Sequence, residues 1–127
     1  MATSSNQPVK IPGPDHPITI TPTSGTVTVT LNGKPIATST HALTLQEASY
    51  PPVQYIPRAD VDMAQFTATE HKTYCPYKGQ ASYLSIPAGG ARTVNAIWSY
   101  EAPHDAVAAI KDHLAFYPDR VDKITVA

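Results

Sequence analysis

The chain has 127 residues, nine Lys and Arg against ten Asp and Glu, and a formal net charge of −1. That size fits one domain around a single core, and the lack of a basic stripe argues against nucleic acid as a partner, because phosphate neutralisation supplies most of such affinity. A single cysteine excludes an internal disulfide; with no apolar run near the roughly 20 residues of a membrane span and no basic-then-apolar start of a secretory signal, a cytoplasmic location away from membranes is expected.

Residues 1–22 carry Pro8, Pro12, Pro14, Pro17 and Pro22 after a polar start. A flexible Pro-rich leader is expected there, followed by a single domain over 23–127. In "TVTVTLNGKPIATS", Val27, Val29 and Leu31 alternate with threonines, the period of a strand with one apolar face. Asn32-Gly33 then supplies the two residues that tolerate positive φ in a type I′ turn, so a β-hairpin is predicted. "ALTLQEA" reads as a short strand or one helical turn. Prolines at 51, 52 and 57 restrict Val53–Ile56 to an edge strand. "ASYLSI" alternates and predicts a strand ending at Pro87, and "RTVNAIWSY" predicts a central strand with Val94, Ala96 and Trp98 on one face. Over 103–117 the spacing of Val107, Ile110, Leu114 and Tyr117 predicts a helix, opened by Pro103 and Asp105 and ended by Pro118. "DKITVA" predicts a last short strand. Many short strands with one late helix describe a mainly β (α+β) domain.

The stretch "HKTYCPYKGQASY" concentrates chemistry-bearing residues: His71, Tyr74, Cys75, Lys78 and Tyr83. A cysteine acts as a nucleophile through its thiolate, and Lys78 or His71 could supply the positive charge or take the proton. The bland alternative is a cysteine that fills space as a small hydrophobe. A zinc site is poorly supplied, because one cysteine and five scattered histidines lack the paired knuckles of structural sites. No metal ligand set and no cofactor are predicted. "WSYEAP" places Trp98, Tyr100 and Glu101 at the end of a strand, where aromatic rings offer an apolar wall with a polar handle. Arg58 precedes Asp60 and Asp62 in alternation, an arrangement that anchors an anion or closes on itself as an ion pair. No phosphate-cradling, dinucleotide or hydrolase-elbow motif is present.

The segments "PPVQYIPRADVDM", "HKTYCPYKGQASY", "NAIWSYEAP" and "HLAFYPDRVD", in this order, resemble the domain of unknown function 427 family over roughly residues 26 to 124. The resemblance implies a β-tent fold of two antiparallel sheets meeting at an angle, as in methionine sulfoxide reductase B and the thalidomide-binding domain of cereblon. Relatives in that fold commonly hold zinc through paired C-x-x-C motifs, which this sequence lacks, so zinc is not carried over. The family is also labelled nucleotidyltransferase-like, and Asp60 and Asp62 have a D-x-D spacing that could hold magnesium.

Three readings follow. In the first, a small polar or anionic organic ligand sits in an aromatic-lined pocket bound by Arg58, Tyr74, Tyr83, Trp98 and Tyr100. Cys75, Lys78, Glu101 and His71 would then be candidates for nucleophilic or acid–base work. In the second, the domain recognises a small molecule or peptide without chemistry. In the third it transfers nucleotidyl groups. A homodimer is compatible with the near-zero charge.

Overall fold

A computed structural model describes residues 7–127. The hairpin forms as its sequence requires. β2 (Val27–Leu31) and β3 (Lys34–Ser39) pair antiparallel, and Asn32 and Gly33 take φ of 53° and 77°, the left-handed pair of a type I′ turn. Val27, Val29 and Leu31 are all buried. β10 (Lys123–Val126) pairs antiparallel with β2 and completes a three-stranded sheet ordered β10-β2-β3.

The other strands are β1 (Ile18–Pro22), β4 (Leu43–Glu47), β5 (Val53–Pro57), β6 (Thr67–Cys75), β7 (Gly79–Ser85), β8 (Ile97–Ser99) and β9 (His113–Phe116). They form a seven-stranded antiparallel sheet ordered β1-β4-β5-β9-β8-β7-β6. The protein is therefore mainly β, with two antiparallel sheets. Among the described residues no helix is long and apolar enough to cross a membrane.

Four expectations are corrected. The predicted helix over 103–117 does not form: Asp105–Ile110 is a 3₁₀ stretch broken at Val107, and His113–Phe116 is strand β9. Asp112, at φ 60°, turns the chain between them. β9 fills the gap between β5 and β8, where its ladder hydrogen bonds and two-sided burial outweigh a weak local helical preference. Val107, Ile110 and Leu114 are buried as expected, but two different backbone geometries bury them.

The strand predicted over 92–100 shrinks to Ile97–Ser99, because Pro87–Thr93 is a 3₁₀ stretch broken at Gly90 and Asn95 has φ 55°. That turn leaves Val94 exposed. β5 is an interior strand, not an edge one. Pro51 and Pro52 precede it and Pro57 is its last residue, so no proline interrupts its middle. Finally, part of the stretch read as a leader is built into the sheet. Ile18–Pro22 pairs with β4 from Ile18↔Glu47 to Pro22↔Leu43. Residues 1–6 of that stretch lie outside the described residues.

The central strands bury both faces. Ile56, Leu84, Ile97, Leu114 and Phe116 pack with Val27, Val29 and Leu31 of the small sheet. Their immediate neighbours Tyr55, Tyr83, Trp98 and Ala115 point to the opposite face and join Leu45, Tyr100, Val107 and Ile110, as the two-residue period of a strand demands. The candidate site is on this second face.

Candidate functional site

The register builds the aromatic wall. Tyr83 stands opposite Trp98, and Trp98 opposite Ala115. Continuing the β5–β9 register past Ile56↔Leu114 brings Tyr55 into the same row. Ala115, the small member, leaves room for its neighbours' rings. Tyr55 and Trp98 meet edge to face at 6.3 Å, and the Trp98 indole N–H donates to the Tyr55 hydroxyl at 3.1 Å. Tyr117, just past β9, lies 4.5 Å from Trp98 between ring centroids. The Tyr83 hydroxyl is hydrogen-bonded to Thr73 Oγ1 at 2.8 Å and to the Tyr117 hydroxyl at 3.4 Å.

These rings, with Tyr50 and Tyr100, surround a cavity of about 500 Å³ that is also lined by Leu45, Val53, Glu47 and Lys78. Lys78 ends the turn between β6 and β7, where its N–H donates to the Cys75 carbonyl at 3.2 Å and its carbonyl accepts from His104 N–H at 3.0 Å. Gly79 follows at φ 110°, a conformation that favours glycine. Held this way, Lys78 is only 8 % exposed, rare for a lysine unless it is paired.

Its partner is Glu47, at the end of β4. The Lys78 ammonium donates to Glu47 Oε1. Glu47 Oε2 is bonded to His16 Nε2 at 2.7 Å, and the His16 ring stacks on Tyr77 at 4.0 Å. Burial pushes the Glu47 carboxyl up. The hydrogen bonds and charges of Lys78 and His16 outweigh that and hold it below its ordinary value. Burial drives the Tyr55 and Tyr100 phenols well above their usual range and Tyr117 to about 12, the latter aided by Tyr83. All three are neutral hydroxyls at physiological pH.

Of the nine residues singled out in the sequence, Lys78, Tyr83, Trp98 and Tyr100 line this cavity and the other five do not. Cys75 is half-buried against the second core, filling space behind the turn. Glu101 is exposed at the surface, 3.4 Å from Arg58 and accepting from Ser82 at 3.2 Å. Arg58 also donates to Ser99 Oγ and the Asp112 carbonyl, both at 3.1 Å, closing on its own neighbourhood. The Tyr74 hydroxyl is turned outward, donating to the Pro8 carbonyl at 2.6 Å beside His104. His71 is exposed, its ring 4.5 Å from that of Tyr83. A combined Cys75–Lys78–Glu101 centre is therefore not assembled.

Glu47, Tyr50, Tyr55, Tyr117 and His16 are not among those nine. Tyr55 carried a signal, since it alternates with Ile56 in a strand buried on both sides. Glu47 and His16 carried none, being brought together by pairing of β1 with β4.

The D-x-D pair is occupied locally. Asp60 accepts from Ser39 Oγ at 2.6 Å and lies 3.1 Å from His41 Nδ1, whereas Asp62 accepts from Ala64 N–H at 3.1 Å. Among the described residues no three of His, Cys, Asp and Glu gather as a metal-holding set. No curated protein matches the chain. A family model described as a domain of unknown function (DUF427) matches residues 19–127, and the chain belongs to that family.

Proposed function

We propose that this protein binds a small organic molecule in the cavity on the second face of the seven-stranded sheet, with an apolar body against the rings and one polar group at Lys78. The observation that carries this reading is the convergence of a nearly buried lysine–glutamate pair with six aromatic side chains on a cavity of about 500 Å³. A concave, mainly apolar site with a few placed polar groups is the general form of a small-molecule pocket. Recognition is favoured over thiol chemistry because Cys75 does not line the cavity. A catalytic variant of the reading would rest on Lys78 and Glu47 as the proton-handling pair, with His16 behind them.

Trp98 is the sole tryptophan, so its emission reports directly on the cavity. In a screen of small aromatic and aliphatic compounds, binders should quench or shift that emission. Tyr100→Phe and Lys78→Met should weaken them while Cys75→Ser binds as the parent does. Loss of binding in Cys75→Ser with retention in Lys78→Met would put the site elsewhere.

A further inference from the structure

The polar groups of this cavity are unequal in kind. Its acceptors are largely committed: Glu47 Oε1 to Lys78, Glu47 Oε2 to His16, and the Tyr55 oxygen to the Trp98 indole. Its donors are not. An ammonium carries three N–H bonds, and among the described residues Lys78 spends one of them, on Glu47. The remaining two are held in a side chain only 10 % exposed and meet no second hydrogen-bond acceptor among the described residues. The Tyr100 hydroxyl has no hydrogen-bond partner among the described residues, and its residue is 5 % exposed on the same lining. Its proton is firmly held, since burial raises the phenol, so it can donate without adding negative charge.

The charge pattern points the same way. Glu47 is flanked by two basic side chains, Lys78 and His16. A second anion placed on the far side of Lys78 extends an alternating row and faces no unpartnered carboxylate. An extra cation there would meet an ammonium whose counter-ion is already shared.

From this donor excess we infer that the cavity takes an aromatic carboxylate, its planar body between Trp98 and the tyrosines and its carboxylate on the Lys78 ammonium and the Tyr100 hydroxyl. Charge-assisted hydrogen bonds of this kind are roughly twice as strong as neutral ones, and they supply acceptors to the two ammonium N–H bonds that Glu47 does not take. The inference rests on the pocket reading above and adds the chemical class of the ligand.

The test compares near-isosteric probes on the parent protein: phenylacetate, phenylacetamide, phenethylamine and the neutral hydrocarbon ethylbenzene, each followed by Trp98 emission and by the indole N–H resonance. Phenylacetate should bind about tenfold or more tightly than the amide, the worth of one charge-assisted contact. That preference should vanish in Lys78→Met and shrink in Tyr100→Phe, each checked for an intact melting transition. Because the acid–amide comparison is made on the parent, it stands even if a variant fails to fold. Equal or tighter binding of the amide or the amine overturns the carboxylate assignment and leaves the pocket reading standing. If none of the four probes perturbs Trp98, the carboxylate assignment fails; if a broader apolar series also leaves it unperturbed, the pocket reading fails with it.

Discussion

Glu47 holds both Lys78 and His16, and its carboxylate sets how the site responds to acid. Because its folded value lies below the ordinary 4.5, the folded state favours the ionised form. The corresponding stability is complete above 4.5 and is lost as pH falls through the lower folded value. Thermal melts between about pH 3 and 7 should therefore show an acid limb that Glu47→Gln flattens. At neutral pH the same substitution leaves the nearly buried Lys78 ammonium without its charged acceptor, and should cost about 2–3 kcal/mol. Lys78→Met removes the charge that needed the partner and leaves Glu47 bonded to His16, so it should cost less. The reverse order, with Lys78→Met the more damaging, would show that lysine packing outweighs the ion pair. At this scale the sequence was partly legible. Lys78, Tyr83, Trp98 and Tyr100 stood out as a charge and aromatic rings near strand ends, where they offer a polar handle and an apolar wall, whereas Cys75 stood out through its neighbours Lys78 and His71, and the fold packs it against the second core instead.

Among elements, the β2–β3 hairpin was legible because everything that determines it is local: alternation for the faces and two positive-φ residues for the turn. That turn is also tied to distant chain. Gly33 N–H donates to Asp122 Oδ2 at 2.9 Å and Asn32 Nδ2 to the Ala88 carbonyl at 3.2 Å. A Cβ on Gly33 meets nothing within 4 Å, so Gly33→Ala tests backbone strain alone. It should destabilise by about 1 kcal/mol through the left-handed conformation, read as a lowered midpoint in denaturant with an unchanged slope. An unchanged midpoint would mean that the turn adopts another type at no cost. β9 was illegible for the opposite reason. Val107, Ile110 and Leu114 match a helical stripe as well as they match a 3₁₀ stretch and a strand, and the choice is made by β5 and β8, which are distant in sequence.

The order of the large sheet was illegible as well, since β9 separates β5 from β8 and the last strand returns to β2; such long-range pairings leave no local trace. They nonetheless dictate where the tyrosines end up. One face of the seven-stranded sheet is covered by the small sheet. The other is partly covered by the 105–110 stretch, through Val107 and Ile110, and carries Tyr55, Tyr100 and Tyr117 around the cavity. These phenols resist ionisation in the folded state, whereas in the unfolded chain they ionise near the ordinary 10.0. With the folded values raised, their contribution to stability is fully present below 10 and is lost as pH rises beyond it. The protein should therefore unfold in alkali, with the last phenolates appearing in the ultraviolet together with the loss of β-sheet signal. Tyr100→Phe, which removes an ionisable group without breaking a hydrogen bond among the described residues, should move that transition to higher pH. Tyr55→Phe removes one too but gives up the Trp98 indole's acceptor, so its gain in alkali should come with a loss at neutral pH. Were all seven tyrosines to titrate while the sheet signal stayed intact, the phenols would be wetter than their burial implies. The second face would then admit more water than the burial of Tyr55 and Tyr100 implies.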